Sequence, residues 1–265
     1  MKSKNELEKQ FLKQVYEIMK KGNDHGYLEG TVGIVKSKIY MDGICEEIEI
    51  CKKYFQRYGR ILDFGTGAGL HSWFMSFEGY KTIGIDIDNF GDFTGNTKAT
   101  ENMDRDQKKL WSRLVNKNKK MKFLHYKDKI PFEKNYFDGI IASAVLEHIP
   151  NKQVNYFLSE IRRVLKPGGY LLISRLPRKF SYLEYLARLF GMGHHERLYK
   201  DNESKDLIKS AGFKIEKFWI TDFCPSYPLN LINNCYPWLT KLNSILLKTP
   251  VKFLAHDIRM LARKI

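Results

Sequence analysis

The stretch Arg60–Ser72, which reads RILDFGTGAGLHS, determines the fold of this chain. A short apolar run ends at Asp63, and Gly65, Gly67 and Gly69 follow it. Because glycine has no Cβ, such a loop can turn sharply and let the backbone approach a ligand closely. A strand, a glycine-rich turn and a helix start in this order are typical of a nucleotide-binding α/β domain. The spacing is G-x-G-x-G, unlike the G-x-G-x-x-G of dinucleotide enzymes, so the loop alone does not define the ligand.

Three further segments continue the pattern of buried strands joined by helices. They are KTIGIDID (81–88), YFDGIIASA (136–144) and VLKPGGYLLIS (164–174). Asp86, at the end of the first of them, lies 21 residues after Gly65. A carboxylate at the end of the second strand is placed to accept hydrogen bonds from both hydroxyls of a ribose.

The motifs ILDFGTGAG, GIDID, PFEKNYFDGIIASAVLEHI and VLKPGGYLLIS together resemble the class I S-adenosylmethionine-dependent methyltransferases. The similarity is to the small-molecule branch (methyltransferase type 11), which includes quinone-biosynthesis enzymes, and it covers residues 58–220. It implies an α/β fold: a Rossmann-like, doubly wound, seven-stranded and mostly parallel sheet with an antiparallel last strand. It also implies S-adenosyl-L-methionine as the cofactor.

Helical patterns outside the core suggest how the chain is divided. The expected units are a helical N-terminal cap (1–57), the S-adenosylmethionine-binding core (58–223), an apolar helical insertion (224–256) and the last strand of the core sheet (257–265). Within the cap, apolar spacing predicts helices over 5–20 and 43–58, with a glycine-rich loop over 22–33 between them. The cap either covers the cofactor site or simply packs against the sheet.

The resemblance assigns cofactor roles to residues that match the family motif. Asp63 would orient the glycine loop and the cofactor's amino group, although a turn-forming aspartate is the simpler alternative. Asp86 would bind the ribose and Ile87 would flank the adenine. The residues expected around the methionine portion are Gly65, Thr66, Gly67 and Gly69.

One position departs from the family pattern. Relatives often carry an aspartate five residues before the proline of the PF motif, where it contacts the adenine amino group. Tyr126 occupies that position here, and the nearest acid is Asp128, which becomes the candidate. Ser143 begins the loop after the fourth strand, beside the expected point of methyl transfer, and is included with the cofactor-binding residues.

Two histidines are candidates for a general base. His148 lies in LEHIP and His195 in GMGHHERLY, and the ordinary pKa of histidine suits proton removal near neutral pH. The alternatives are that His148 supports a loop or caps a helix, and that His195 lies in a solvated loop. Adjacent histidines on one element make poor metal geometry, so no metal site is predicted from His194 and His195.

The apolar and aromatic insertion has several interpretations. Residues 237–247 have amphipathic helical spacing, and Thr249-Pro250 resembles a helix start. The segment 224–256 could be a lid, a lipid-facing surface making peripheral membrane contact, a dimer contact, or a helix pair packed on the sheet. Residues 251–265 fit either a second helix or, as the family resemblance favours, the last strand.

Charge and composition narrow the location and the partners. A net charge of +15 and a pI near 9.5 suit anionic partners, but the lysines are dispersed, which also fits a lysine-rich proteome without a specific partner. The polar start is unlike a secretory signal, and Cys45, Cys51, Cys224 and Cys235 lack zinc spacing. These features predict a cytoplasmic protein with reduced thiols, either free in the cytosol or peripheral at the membrane.

The leading functional hypothesis is methyl transfer to a small or lipid- or saccharide-linked acceptor, at a hydroxyl. The segment RLPRKFSYLEY (175–185) resembles methyltransferases of saccharide and lipid biosynthesis. The first alternative is an RNA methyltransferase, motivated by the net charge. Nucleic acid is disfavoured because SAVLEHIP replaces an N-P-P-Y loop and no cysteine lies near it. The second alternative is a non-catalytic cofactor-binding or assembly subunit.

Overall fold

The computed structural model describes residues 2–20, 26–87, 97–191, 195 and 197–265. Its centre is one seven-stranded sheet with the strand order β3-β2-β1-β4-β5-β7-β6. The strands are β1 (Arg60–Phe64), β2 (Lys81–Ile87), β3 (Met121–Tyr126), β4 (Phe137–Ser143), β5 (Leu165–Pro177), β6 (Phe213–Thr221) and β7 (Asp257–Lys264). The predicted Rossmann-like fold is therefore confirmed.

The last strand decides which residues reach the functional edge of the sheet. β1 to β5 pair in parallel, whereas β7 runs antiparallel between β5 and β6. Pro177 and Thr221, the final residues of β5 and β6, both pair with Asp257, the first residue of β7. The beginning of β7 therefore lies at the same edge as the carboxyl ends of the parallel strands. The alternative of a helix over 251–265 is wrong.

Helices cover both faces of the sheet. They are α1 (Lys4–Met19), α2 (Gly26–Lys36), α3 (Lys38–Tyr54), α4 (Leu70–Phe77), α5 (Thr97–Lys117), α6 (Asn151–Val164), α7 (Tyr182–Leu189), α8 (Asp201–Ser210), α9 (Leu229–Asn234) and α10 (Tyr236–Leu246). Short 3₁₀ turns span Leu146–His148 and Pro250–Leu254. Adjacent residues of β1 point to opposite faces of the sheet. Leu62 packs with α6 on one face, and Ile61 packs with the N-terminal helices on the other.

The glycine-rich loop predicted before the second helix is wrong over its later part, because α2 begins at Gly26. Leu28, Thr31 and Val35 are buried on one face of this helix. Glycine costs roughly 1 kcal/mol relative to alanine inside a helix, and tertiary burial outweighs that propensity here. Residues 22–25 of the predicted loop lie outside the described residues.

The N-terminal helices share a core with the sheet. Phe11 and Val15 of α1 and Ile44 of α3 belong to the same buried cluster as Trp73 of α4. The Trp73 indole also donates a hydrogen bond to the Leu7 carbonyl at 3.1 Å. Consequently the N-terminal helices cover one face of the central sheet, whereas a cap over the cofactor site stays a prediction.

The insertion between β6 and β7 packs on the N-terminal helices. Ile232 of α9 and Cys224 are buried against Ile39 of α3. The Asn233 side chain bonds the backbone at both Lys36 and Lys38. Of the helices in the described residues, none is long and apolar enough to cross a membrane.

Candidate active site

The glycine loop joins β1 to α4 and is held against β2. The backbone amides of Gly65 and Thr66 both donate to the Ile85 carbonyl at 3.0 Å. Gly65 has a φ of +69°, and a Cβ at this position would overlap the side chain of Val145. Both the backbone conformation and the lack of space therefore require glycine here.

Asp63 fastens the loop to the first turn of α4. This carboxylate is 3% exposed and accepts hydrogen bonds from the Thr66 hydroxyl (2.6 Å), the Ser72 amide (3.0 Å) and the Ser72 hydroxyl (2.8 Å). All three bonds involve Oδ2. Asp63 thus holds the loop through Thr66 and Ser72. Contact of Asp63 with the cofactor's amino group, and of Thr66 with the methionine portion, stays a prediction.

Asp86 lies at the end of β2 and faces the same loop. Its Oδ2 accepts from the Gly67 amide (2.8 Å) and from Gln107 Nε2 (3.1 Å), and its Oδ1 accepts from the Ile87 amide (2.9 Å). Burial raises the pKa of Asp86 to about 6. A carboxylate offers about four acceptor sites, so at least one remains for a ribose hydroxyl and Gln107 holds another that it could yield.

A partly open pocket lies beside these two acids. Its lining residues are Phe64, Gly65, Asp86, Ile87, Tyr126, Val145, His148, Ile149 and Phe157. The mainly apolar walls and a single carboxylate at one end suit an adenosine group. The pocket brings together four of the predicted residues: Gly65, Asp86, Ile87 and His148. Asp128 is exposed and is not among the lining residues, whereas Tyr126 is.

Three residues at the loop were not found from the sequence. Trp111 Nε1 and Gln107 Nε2 of α5 donate to the Gly67 carbonyl at 2.9 and 3.0 Å. The Tyr27 hydroxyl of α2 is buried, lies 3.8 Å from where a Gly67 Cβ would be, and interacts with the Gln107 side chain. A buried hydroxyl beside the loop suits the polar methionine end of S-adenosylmethionine. In the sequence, the i, i+4 spacing of Gln107 and Trp111 is the only sign that their side chains lie on the same face of a helix.

A buried ionic network lies behind the end of β4. Glu47 of α3 is fully buried, and its carboxylate lies 2.6 Å from His71 Nε2, 3.3 Å from the Ser143 hydroxyl, and 3.4 Å from both Arg175 Nε and Arg259 Nη2. Burial alone would raise the pKa of Glu47, but Arg175 and His71 lower it below the usual range. Ser143 is therefore oriented by the helix above it.

Left-handed backbone conformations at residues other than glycine occur at both edges of the sheet: Tyr58 and Asn135 precede β1 and β4, and three others lie at the carboxyl edge. Ala144 after β4, Arg175 in β5 and Asp222 after β6 have φ values of 51°, 54° and 60°. Left-handed conformations at residues other than glycine cost of order 1–3 kcal/mol and cluster at functional sites.

The two candidate bases lie next to each other beside the pocket. His148 is half exposed, and its ring centroid is 6.3 Å from that of His195. His195 Nδ1 lies 2.6 Å from Glu184 Oε1 of α7, and this hydrogen bond raises the pKa of His195. Glu147 is buried nearby, and burial raises its pKa to about 8.

The sheet order, the glycine loop and the acid after β2 define a class I S-adenosylmethionine-dependent methyltransferase. Residues 39–217, more than half of the chain, match the family model described as a methyltransferase domain, and the chain belongs to that family. The predicted enzyme class and its cofactor are thereby confirmed.

Three known proteins are similar to this chain in sequence or in structure. A ubiquinone biosynthesis O-methyltransferase from Dechloromonas aromatica is 27% identical over 76% of this chain and 78% of its own length. A ubiquinone/menaquinone biosynthesis C-methyltransferase from Paraburkholderia phytofirmans is 36% identical over 32% of this chain and 35% of its own. In structure, the Burkholderia thailandensis 1,6-didemethyltoxoflavin-N1-methyltransferase with S-adenosylhomocysteine has a TM-score of 0.58 at 15% identity, covering 100% of this chain and 91% of that one.

The chain matches only part of the length of most of its ubiquinone biosynthesis relatives. Across four ubiquinone biosynthesis O-methyltransferases, the alignments cover 78%, 62%, 45% and 65% of the relative's own length.

Proposed function

We propose that this methyltransferase acts on a hydroxyl of a small, or lipid- or saccharide-linked, acceptor. The observation that carries the proposal is the placement of His148 on the pocket wall with Asp86, while the Glu184–His195 pair lies beside it. A hydroxyl acceptor loses a proton as the new bond forms, so two adjacent imidazoles suit this chemistry. The alignment with an O-methyltransferase over most of the chain supports the same acceptor atom.

The site would divide the work among its residues. The cofactor's sulfonium supplies a methyl group with a good leaving group already attached. Asp86 would hold the ribose, and the Gly65–Gly69 loop and Tyr27 would hold the methionine end, so that the donor is fixed in line with the acceptor. The acceptor hydroxyl must lose its proton as it is methylated, and His148 or His195 would take that proton.

Product formation with defined acceptors tests the proposal. The purified enzyme is incubated with S-adenosylmethionine and either a polyprenylated catechol in vesicles, a soluble catechol or a saccharide, and S-adenosylhomocysteine is measured together with the methylated atom. Methyl ethers formed from any of these support the proposal. Methyl transfer only to carbon or nitrogen would contradict it.

Replacement of the histidines separates their roles. If His148 or His195 removes the proton, its change to alanine should lower kcat by about 10²- to 10⁴-fold, because a positioned base contributes that much. S-adenosylhomocysteine affinity should stay within about twofold in His195→Ala, since His195 is not among the lining residues of the pocket. His148 lines that pocket, so His148→Ala is compared by kcat at saturating S-adenosylmethionine. Unchanged turnover in both variants would remove both residues from this role.

We further propose that the 224–256 insertion touches a membrane surface. Trp238 is 63% exposed, Ile245 51% and Phe253 55%, and Lys241, Lys248 and Lys252 are exposed among them. Apolar groups flanked by lysines suit the interface of an anionic bilayer. Binding to phosphatidylglycerol vesicles should therefore weaken in Trp238→Ala and in high salt. Tyr156→Ala, at an exposed aromatic of α6, is the control, and equal binding by both variants would contradict the proposal.

A further inference from the structure

A compact group of metal-binding side chains lies at the carboxyl edge of the sheet. Glu184 comes from α7, His195 from the segment after it, and His256 from the residue before β7. One ligand atom from each lies within 4.8 Å of the others. No metal site was predicted from the adjacent pair His194–His195, and His194 lies outside the described residues. The group described here takes its ligands from three separate places in the chain.

The distances are close to those of a bound ion. Glu184 Oε1 lies 2.6 Å from His195 Nδ1 and 3.9 Å from His256 Nε2. Zinc bonds to nitrogen and carboxylate oxygen are about 2.0–2.2 Å, which places tetrahedral ligand atoms roughly 3.3 Å apart. The Glu184–His195 pair must separate and the Glu184–His256 pair approach, each by less than about 1 Å. The third pair, His195 and His256, has its ligand atoms within 4.8 Å and must reach the same spacing. The ion would replace the proton shared by Glu184 and His195.

The surrounding contacts hold the three side chains in place. Ser181 Oγ lies 2.9 Å from His256 Nδ1 and also accepts the Glu184 amide at 3.2 Å. With Nδ1 of His256 donating to this hydroxyl, Nε2 presents its lone pair to the ion, which is the usual arrangement for a histidine ligand. The His195 amide donates to Glu184 Oε2 at 3.2 Å, so the carboxylate is fixed as well.

A second observation is a buried carboxylate beside the group that has no hydrogen-bond partner in the part of the chain that the structure describes. Glu147, next to this group, is 6% exposed, and neither of its carboxylate oxygens has a hydrogen-bond partner among the described residues. Asp257, also buried, lies 3.7 Å from His256 Nε2. Buried carboxylates are normally paired, hydrogen-bonded or bound to a metal. A divalent cation among Glu184, His195 and His256 would offset these acids.

We propose that Glu184, His195 and His256 bind a divalent cation of the zinc class. Two imidazoles and one carboxylate form a known donor set of catalytic zinc sites, which keep a fourth position open. His195 then serves as a ligand instead of a base. The ring of His148 lies 6.3 Å from that of His195, so an acceptor oxygen bound at the open position would be near His148. This last role rests on the proposed function, whereas the metal site itself does not.

Metal titration without acceptor or cofactor tests the site. The full chain, freed of metal by chelation and carrying Cys235→Ser to remove an exposed thiol, is titrated with Zn²⁺ by calorimetry and with Co²⁺ by visible spectroscopy. We expect one ion per chain and a tetrahedral cobalt spectrum. Absence of stoichiometric binding overturns the proposal, even if methyl transfer to a hydroxyl has been demonstrated.

Variants locate the ion. Glu184→Gln and His256→Ala should each weaken Zn²⁺ binding by at least about 100-fold, and Ser181→Ala by about 10- to 100-fold through the loss of ligand orientation. Glu133→Gln, at an exposed carboxylate, should leave it unchanged. S-adenosylhomocysteine binding verifies that each variant is folded. Unchanged Zn²⁺ affinity in Glu184→Gln and His256→Ala overturns the site; should those two variants fail to fold, unchanged affinity in Ser181→Ala overturns it.

Discussion

Asp86→Ala is expected to weaken S-adenosylhomocysteine binding by about 100-fold or more. Hydrogen bonds to a charged group contribute about 1.5–3 kcal/mol each, and a ribose can form two with this carboxylate. The change also removes the acceptor for the Gly67 and Ile87 amides, so the loop loses its support at the same time. Isothermal titration of the two proteins with S-adenosylhomocysteine measures the effect.

Asp128→Ala is the matched comparison. Asp128 is the other predicted acid, but it is exposed and outside the pocket, so we expect affinity within about twofold of the original. If Asp128→Ala weakened binding and Asp86→Ala left it unchanged, the assignment of the ribose site would be wrong.

The pH dependence of binding follows from the burial of Asp86. Burial raises its pKa to about 6, and only the ionised carboxylate can accept from both hydroxyls. Affinity should therefore be constant well above pH 6 and fall by up to about tenfold for each pH unit below it, because binding must then release a proton. Asp86→Asn should abolish this dependence, and a flat profile in the original protein would contradict the assignment.

Glu47→Gln is expected to destabilise the protein by about 3–5 kcal/mol. The change removes the anion that faces two buried arginines and His71, and breaking a buried ion pair by removing one partner carries this cost. For a chain of this size the melting temperature should fall by roughly 6 to 20 °C. Thermal unfolding followed by circular dichroism measures the shift.

Glu46→Gln tests whether the loss of stability depends on the burial of the carboxylate or only on its charge. Glu46 is the neighbouring residue and bonds the same Arg259 at 2.9 Å, but its side chain is 66% exposed. Exposed ion pairs contribute about 0–1 kcal/mol, so this variant should melt within a few degrees of the original. Equal shifts for Glu46→Gln and Glu47→Gln would show that the network does not depend on the buried carboxylate.

Features set by residues near one another in the chain were predictable. The strand–loop–helix around Gly65 and the acid at the end of β2 follow from local pattern and turn chemistry. Local pattern left the last strand open between strand and helix, and the family resemblance favoured the strand. α2 was missed because its glycines predict a loop, while the burial that makes it helical comes from elements distant in sequence. Tyr27 and Gln107 were missed for the same reason, since they meet at Gly67 only after folding.

The sequence by itself determined the class of the protein, because alternating strands and helices with a glycine loop permit few arrangements of the backbone. Only the tertiary structure decided which side chains share a site. His256 adjoins His195 and Glu184 because β7 runs antiparallel and returns its first residue to the carboxyl edge. Glu47 meets Arg175 and Arg259 because α3 packs across that edge. Such contacts depend on packing between residues far apart in the chain, and local sequence patterns do not predict that packing.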